Sequence, residues 1–554
     1  MNTTRSRSAV LGLVCLTSTV AISSQILRDF NRPQTFDAQH YVIRASFDPA
    51  TKRVMGETTI VVKPLKGNFR SLELDAVGIV FERATLESSG ASLAFTPSVG
   101  KISVSLDRAY NAGESIAVRL KHSATPKKGI YFVEAAAGRS AQIWTQGEPD
   151  EARHWFPSFD FPSDKATTEQ ILTVARNETV IANGELIAKR DNADGTTTWH
   201  YNTPFPHSIY LVSFVIGQYV KLEDTYKNTP LGYYTYSGKE ATARAAYRET
   251  AEMMRVFEDL TGVAFPYNKY DQTVVAKFNF GGMENITATT MADDSIFAIE
   301  QDFAKDSVTD LVSHELAHSW FGNLVTCRNW AELWLNESFA TFMEAAYRER
   351  TRGRADYMAS VREDAGTFLV NDSVNAKKHG LFNMRAGNVA GLFDNAAVTY
   401  NKGGAVLHTL REQVGDTAFW KAINIYLNRH RFGSVETPDL KRAMEETSGQ
   451  NLAWFFNQWI YGGGSPRIAL QHRYNTRTKS LTLSLRQTQV PDGLTPAVFR
   501  LPLDISIETS AGVQTERIEM KLRQQTFTFN VREGPSEVIV DKEEKIPVKR
   551  LTIR

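Results

Sequence analysis

Cysteine is scarce in this chain, and neither sign of charge prevails. The 554 residues include only two cysteines, Cys15 and Cys327, so the sequence lacks the cysteine framework that stabilises small secreted domains. Lysine and arginine together number 63, and aspartate and glutamate 62, which leaves a formal net charge of +1. This balance gives no reason to expect nucleic acid or an anionic membrane as a partner. Stability is therefore expected from hydrophobic cores, and the length predicts several domains.

A stretch of apolar residues long enough to span a membrane is lacking as well. The nearest candidate is the uncharged run 9–22, which follows Arg5 and Arg7 and precedes small residues. Its length is typical of a signal-peptide core and short for a membrane span. We therefore predict a signal peptide over residues 1–24, export to the periplasm or the medium, and no transmembrane span in the mature chain; an uncleaved tail is the alternative. Lipidation at Cys15 is less favoured, because the valine before it is larger than a lipoprotein site normally takes.

The pattern of apolar residues divides the rest of the chain into three parts. Short alternating strands fill residues 25–222 and predict an antiparallel β domain. Longer helical patterns dominate residues 223–462, which we expect to form the catalytic domain. Strands return over residues 466–554 and predict a small β-sandwich, with a glycine-rich hinge at Gly462–Pro466 before it. The predicted fold class is therefore multidomain α+β.

Residues 314–318 read His-Glu-Leu-Ala-His, an HExxH pattern. Ser307 with Asp310 three residues on predicts a capping box at the start of its helix. Residues four apart lie on one face of a helix, so the imidazoles of His314 and His318 can bind one metal ion. A chance match on a core helix is the alternative. The same helix is predicted to carry an apolar row formed by Val312, Leu316, Trp320 and Leu324.

A third ligand follows in a second helix, whose start is predicted by Asn329 and Glu332. Eighteen residues separate His318 from Glu337, which leaves room for a turn and a returning helix. Two imidazoles and one carboxylate leave a fourth position open for water, as a catalytic zinc ion requires, and we predict one zinc ion per chain. Glu344, seven residues after Glu337, is a candidate to orient a ligand histidine. A solvated surface carboxylate is an equally good interpretation of Glu344.

Glu315 is the candidate general base. It lies about 100° round the helix from His314, beside the metal rather than on it. Zinc lowers the pKa of a bound water molecule from about 15.7 to about 7. A carboxylate at this place can therefore accept the proton of that water.

In these residues the sequence resembles the aminopeptidase N family of gluzincin zinc metallopeptidases. HExxH, eighteen residues and a glutamate form that family's zinc signature. Gly281–Asn285, which reads Gly-Gly-Met-Glu-Asn, is similar to its exopeptidase motif, and Tyr400–Gly403 is similar to its catalytic tyrosine segment. Thr145–Glu148, continued by residues 152–160, is similar to a further segment. The motifs stand in the family's order.

The resemblance implies a thermolysin-like catalytic domain that removes one residue from peptides with a free N-terminus. It implies that Glu284 is the main anchor of the substrate α-ammonium group and Glu148 its partner, through charge-assisted hydrogen bonds. It also implies that Tyr400 donates a hydrogen bond to the oxyanion. Without the resemblance, we would interpret Glu148 as a surface residue and Tyr400 as a structural one.

The resemblance also assigns the three residues before Glu284. Gly281 and Gly282 would let the backbone approach the substrate and form strand-like hydrogen bonds with it. Met283 would line the pocket for the first side chain. The alternatives are an ordinary turn for the two glycines and core packing for the methionine.

Many members of this family end in a large helical domain that closes over the site. The present sequence ends after the predicted β-sandwich, so we expect a three-domain form with a more open site. That difference also disfavours epoxide hydrolysis, the chemistry of the leukotriene-hydrolase branch. A non-catalytic scaffold is the other alternative, disfavoured because ligands, base, anchor and tyrosine are all present. The preferred N-terminal residue, the physiological substrate and the oligomeric state do not follow from the sequence.

Overall fold

The computed structural model of the chain describes residues 29–552. The predicted signal peptide over residues 1–24, with Cys15, lies outside the described residues. Within them, strands are followed by a largely helical region and then by strands again, which confirms the multidomain α+β fold class. No helix of the described part is both long and apolar enough to cross a bilayer.

The N-terminal part consists of β strands, which form an eight-stranded, a four-stranded and a three-stranded sheet. Alternate residues of the long strands Phe36–Asp48 and Lys165–Ala175 are buried, as the period of two predicts for strands with one face on a core. All strand pairs within these sheets are antiparallel except one: Phe36–Asp48 (β1) pairs in parallel with Lys165–Ala175 (β11). The strands are β1 (Phe36–Asp48), β2 (Arg53–Pro64), β3 (Phe69–Asp75), β4 (Ile79–Leu86), β5 (Ser92–Leu93), β6 (Phe95–Ser98), β7 (Lys101–Tyr110), β8 (Ile116–Ala124), β9 (Ile130–Val133), β10 (Gln142–Thr145), β11 (Lys165–Ala175), β12 (Thr179–Ala182), β13 (Glu185–Asp191), β14 (Thr196–Ser208) and β15 (Phe214–Gly217).

A mixed five-stranded sheet opens the central part, in the order β16-β17-β18-β20-β19. The predicted boundary at residue 222 falls inside its first strand. β18 and β20 are buried along their whole length, so they show no alternation that the sequence pattern could reveal. Among residues 29–552, β19 pairs with β20 alone and so forms an edge of this sheet. The strands are β16 (Val220–Tyr226), β17 (Thr229–Thr235), β18 (Tyr270–Val275), β19 (Gly282–Met283) and β20 (Ala288–Ala292).

The helices of the central part pack into one large hydrophobic core with this sheet. They are α1 (Glu240–Tyr247), α2 (Thr250–Thr261), α3 (Asp293–Phe297), α4 (Lys305–Ala317), α5 (Trp334–Arg352), α6 (Arg354–Val374), α7 (Val389–Phe393), α8 (Gly403–Val414), α9 (Asp416–Arg429), α10 (Thr437–Ser448) and α11 (Ala453–Phe456). A two-stranded ribbon of β21 (Thr326–Cys327) and β22 (Ser434–Val435) joins distant parts of the chain.

The helix starts differ from the predicted caps. α4 begins at Lys305 after an N-cap without a side-chain hydrogen bond, so the capping box predicted at Ser307 is wrong. Asn329 does accept the Ala331 N–H at 3.1 Å, but it caps a short 3₁₀ turn that precedes α5. α4 also ends at Ala317. The last two members of the predicted apolar row are therefore buried in the turn that follows α4 rather than on its face.

The C-terminal part is a two-layer arrangement of a four-stranded and a three-stranded sheet, whose inner faces continue the core of the helical region. The segment Gly462–Pro466 is not a free linker, because Gly463 N–H donates to Leu494 O at 3.0 Å and Lys402 Nζ donates to Gly462 O at 2.9 Å. The strands are β23 (Arg467–Asn475), β24 (Ser480–Gln487), β25 (Leu501–Thr509), β26 (Gly512–Met520), β27 (Gln524–Asn530), β28 (Glu537–Val540) and β29 (Lys549–Thr552).

Candidate active site

His314 and Glu337 face each other across α4 and α5, and His318 completes the group. His314 Nε2 lies 3.3 Å and His318 Nε2 3.5 Å from the same oxygen, Glu337 Oε2. One ligand atom from each of the three residues lies within 4.8 Å of the others. Spacing of four residues on α4 and antiparallel return of the chain through α5 therefore bring the three predicted ligands to one point.

The opposite ring nitrogens of both histidines have acceptors of their own. His314 Nδ1 lies 2.7 Å from Glu344 Oε1, and His318 Nδ1 lies 2.9 Å from Phe321 O. Each Nδ1 thus carries the proton, because its neighbour can only accept. In the neutral rings this leaves the Nε2 lone pairs facing Glu337, as ligation of one metal ion requires.

Glu344 is one of three polar side chains, with Asp310 and Arg348, that lie between α4 and α5 beside His314. One turn further along α5, Arg348 Nε donates to Asp310 Oδ1 at 2.8 Å, and the second guanidinium nitrogen donates to Oδ2. Asp310 lies one turn before His314 on α4. A bidentate ion pair therefore joins the two helices beside the candidate ligands, and the sequence pattern did not indicate it.

Glu315 lies against the edge strand β19. A Cβ on Gly282 would lie 2.4 Å from the Glu315 carboxyl carbon, and one on Gly281 would lie 2.9 Å from Leu311 Cδ1. A side chain at Gly282 would therefore displace the Glu315 carboxylate, and one at Gly281 would push on Leu311, a reason for the two glycines that the sequence did not reveal. Glu315 Oε2 is buried and has no hydrogen-bond partner among the described residues.

Glu284 lies between the candidate ligands and the N-terminal domain. It is 3 % exposed, and its backbone carbonyl accepts a hydrogen bond from Asn323 Nδ2 at 2.8 Å. Glu148 comes from the loop after β10, and ligand atoms of Glu148, Glu284 and Glu337 lie within 4.8 Å of one another. Met283 is buried, and its Sδ accepts a hydrogen bond from Gln146 Nε2 at 3.3 Å. Two domains thus contribute to this side of the site.

Tyr400 lies in a single π-helical turn, Val398–Lys402, directly before α8. Its ring stacks on that of His314, with centroids 6.0 Å apart and an interplanar angle of 19°. The Ser338 hydroxyl donates to Thr399 O at 2.6 Å, and Asn401 Nδ2 donates to Asp364 Oδ1 at 2.7 Å. Isolated π turns inside helices are frequent at functional sites.

The electrostatics of the site are dominated by buried carboxylates. Burial raises the pKa of Glu315 to about 8, and burial with the charge of Glu284 raises the pKa of Glu148 well above its usual value. Burial opposes a charged imidazole at His318, but Glu337 and Glu284 raise its pKa to about 9. A cation bound among these groups would stabilise the charged forms of the carboxylates, Glu315 included, and lower their pKa values.

All the predicted site residues line one cavity of about 740 Å³. The set that the structure brings together is Glu148, Gly281, Gly282, Met283, Glu284, His314, Glu315, His318, Glu337, Glu344 and Tyr400. Sequence reasoning missed the supporting residues, such as Arg348 and Asn401, which lie one helical turn after Glu344 and directly after Tyr400. Proximity to those motifs is the one signal that could have found them.

A two-helix site of this kind, with an HExxH helix, a third carboxylate and an adjacent sheet edge, is typical of the metallopeptidase class. Comparison with known proteins is more specific. Residues 245–459 match the profile of the peptidase family M1 domain, and residues 37–211 match that of the peptidase M1 N-terminal domain. The chain belongs to peptidase family M1, the family of aminopeptidase N.

Curated relatives are similar over much of the chain. Aminopeptidase N of Streptomyces lividans is 32% identical over 346 residues, which is 61% of this chain and 40% of that protein. Probable aminopeptidase 1 of Sulfurisphaera tokodaii is 27% identical over 455 residues, 80% of this chain and 55% of that protein. Leucyl aminopeptidase of Saccharolobus solfataricus is 25% identical over 472 residues, 84% of this chain and 58% of that protein. The chain spans about half the length of the curated relatives it matches.

Proposed function

We propose that the chain is a zinc-dependent aminopeptidase that hydrolyses the N-terminal residue from peptides. One observation carries the proposal: the carboxylates of Glu284 and Glu148 lie beside the group of His314, His318 and Glu337 in the same cavity. A cleavable bond held at that group would have its α-ammonium end among these carboxylates. Relatives in family M1 that are named aminopeptidases support the same function.

The donor set fits zinc. Two imidazoles with free Nε2 atoms and one carboxylate are the ligands of several hydrolytic zinc sites, with a fourth position left open. The acceptors on Nδ1, Glu344 and Phe321 O, hold both rings in the tautomer that zinc needs. When bound, the ion would supply Lewis acidity, which acidifies water and polarises a carbonyl group.

Substrate binding follows from the remaining carboxylates and from β19. An ammonium group placed between Glu284 and Glu148 would make charge-assisted hydrogen bonds and offset the repulsion of two buried carboxylates. β19 is a sheet edge beside the cavity, so its backbone can pair with an extended peptide. Met283 would form part of the pocket for the first side chain.

Glu315 and Tyr400 supply the proton chemistry in this proposal. Glu315 takes the proton of the attacking water molecule and later delivers it to the leaving amine. The Tyr400 hydroxyl donates a hydrogen bond to the oxygen that becomes negatively charged as the carbonyl carbon turns tetrahedral. Burial and the nearby Glu337 raise the pKa of Tyr400 well above its usual value, so the hydroxyl keeps its proton.

The domain boundaries and the location of the protein remain part of the proposal. We propose three domains, residues 25–222, 223–462 and 466–554, with the first boundary moved to the start of β16, because that strand pairs within the central sheet. Export rests on the sequence of residues 1–24 alone.

A panel of fluorogenic aminoacyl amides tests the proposed function. We expect release of the fluorophore from amides with a free α-amine, loss of that activity with a chelator, and recovery on addition of zinc. The N-acetylated form of the best substrate is the matched control, and it should not be cleaved. Efficient cleavage of the acetylated form would mean an endopeptidase, and activity that a chelator leaves intact would contradict the zinc site.

Replacing Glu344 with glutamine is expected to weaken zinc binding about tenfold, the low end of effects seen for partners of ligating histidines. The side chain keeps its shape, but the acceptor on His314 Nδ1 loses its charge. Competition with a chromogenic chelator measures the zinc dissociation constant. Glu363→Gln is the control, because Glu363 lines the same cavity without contacting a candidate ligand. Equal zinc affinity in Glu344→Gln and wild type would contradict the orienting role.

A further inference from the structure

We propose that Tyr210 is a positioning residue of the substrate-ammonium site, which it reaches from the N-terminal domain. Its hydroxyl group contacts Glu284, which lines the candidate active site, although Tyr210 belongs to the short 3₁₀ turn Ile209–Leu211 between β14 and β15. The inference rests on the proposed function, because it concerns how Glu284 would be held ready for an α-ammonium group.

The hydroxyl of Tyr210 lies between the anchor and the segment of the third ligand. Tyr210 Oη donates to Glu284 Oε1 at 3.3 Å and accepts from Asn336 Nδ2 at 3.3 Å. Asn336 directly precedes Glu337 in α5. Tyr210 is 1 % exposed, so water does not compete for these hydrogen bonds.

The direction of the hydrogen bonds follows from Asn336. Its Oδ1 accepts the Cys327 N–H at 3.0 Å, so its Nδ2 faces Tyr210 and can only donate. The tyrosine oxygen therefore acts as acceptor on that side, and its single proton is left for the other. On that side the carboxylate of Glu284 is the charged acceptor, with Gly322 O at 3.5 Å as the weaker alternative.

The hydroxyl keeps its proton in this setting. Burial and the charge of Glu284 raise the pKa of Tyr210 well above its usual value. A protonated donor on one oxygen of Glu284 fixes the plane of the carboxylate. It leaves the other oxygen for an incoming ammonium group, which is how a neighbouring hydroxyl orients a charged acceptor without touching the substrate.

The backbone of Tyr210 also packs under the second anchor. A Cβ on Gly147 would lie 2.0 Å from Tyr210 O, so the loop that carries Glu148 rests directly on this residue. The ring of Trp330 meets the tyrosine ring edge-on at 5.3 Å and limits its movement. Tyr210 therefore contacts the Glu284 carboxylate directly and the backbone at Gly147, next to Glu148. These are the two carboxylates that the proposed function assigns to the ammonium group.

Tyr210→Phe in the full chain tests the inference, because it deletes one oxygen atom and keeps the ring. Loss of a hydrogen bond to a charged group predicts about a tenfold rise in KM for the best aminoacyl amide, while kcat changes less than about threefold. The sharper readout is binding of two hydroxamates by calorimetry, one with an α-amine and one without it. The affinity ratio of the pair should fall about tenfold in Tyr210→Phe.

Tyr201→Phe is the matched control. Tyr201 is also buried in the N-terminal domain, and its hydroxyl donates to Val180 O at 2.6 Å, away from the cavity. It should leave the affinity ratio at the wild-type value. Equal losses for both hydroxamates in Tyr210→Phe, or none, would overturn the positioning role. If Tyr210→Phe does not fold, Asn336→Leu removes the group that orients the tyrosine proton, and the same selective loss is expected.

The outcome separates this inference from the proposed function. If wild-type protein binds the two hydroxamates equally and cleaves no aminoacyl amide, the aminopeptidase proposal itself fails. If wild-type protein prefers the amine-bearing ligand and Tyr210→Phe keeps that preference, only the role of Tyr210 is refuted.

Discussion

Replacement of Glu315 by glutamine is expected to lower kcat about 10³-fold while the protein still binds one zinc ion. General acid–base catalysis by a positioned side chain contributes about 10²–10⁴-fold, and here one carboxylate would serve twice, as base and then as acid. Glutamine has the same shape, so it fills the space that Gly282 leaves beside α4. The three candidate ligands are untouched. What is lost is the ability to accept and carry a proton.

Measurement of zinc content together with kcat separates these two effects. Metal analysis of purified Glu315→Gln should give the same zinc content as wild type, and the best aminoacyl amide should be turned over at a small fraction of the wild-type rate. Glu363→Gln, a carboxylate of the same cavity, should retain near wild-type kcat. Wild-type turnover in Glu315→Gln would exclude this residue as the base, and loss of zinc would mean that it serves the metal site instead.

Replacement of Tyr400 by phenylalanine is expected to lower kcat about 10²–10³-fold, the usual effect of removing one oxyanion donor. KM should stay near its wild-type value, because the hydrogen bond forms only as charge develops on the oxygen. The ring of Tyr400 is held on His314 and its segment is fixed by Ser338 and Asn401, so the phenylalanine ring should keep its place.

A phosphinic peptide analogue provides an independent measurement, since its tetrahedral centre carries a charged oxygen. Its affinity should fall in Tyr400→Phe by a factor close to the loss in kcat/KM. Tyr426→Phe is the control, because Tyr426 is buried in the core of the helical region and does not line the cavity. A rise in KM with unchanged kcat would contradict the role, because it would mean that Tyr400 contributes to ground-state binding alone.

The helix pair shows how far local sequence rules reach. Residues 314–318 and Glu337 could be predicted as a ligand group because four-residue spacing on a helix is a geometric fact that needs no tertiary information. The helix start could not be predicted in the same way. A capping box was expected at Ser307, yet α4 begins at Lys305, directly after the 3₁₀ turn Asp302–Ala304, so Ser307 lies inside the helix rather than at its start.

The central sheet shows the limit from the other side. β18 and β20 lie between neighbouring strands and are buried on both faces, so apolar and small polar residues follow one another without a period of two. The sequence pattern of this region therefore predicts a mostly helical domain and does not reveal these strands. The sequence predicts for Gly281 and Gly282 either strand-like hydrogen bonds with a substrate or an ordinary turn. The structure adds that the two glycines make room for Leu311 and Glu315.

The sequence by itself determined which residues we propose to carry the chemistry: the two histidines and Glu337 as ligands, Glu315 as base, and, through family resemblance, Glu284, Glu148 and Tyr400. It did so because ligand spacing and charge are local properties. Tertiary structure alone decided how these groups are held. Packing of α4 against α5 brings the Glu344 carboxylate to His314. Tyr210 reaches Glu284 from another domain, 74 residues earlier in the chain. Such contacts join residues far apart in the chain, and no local pattern encodes them.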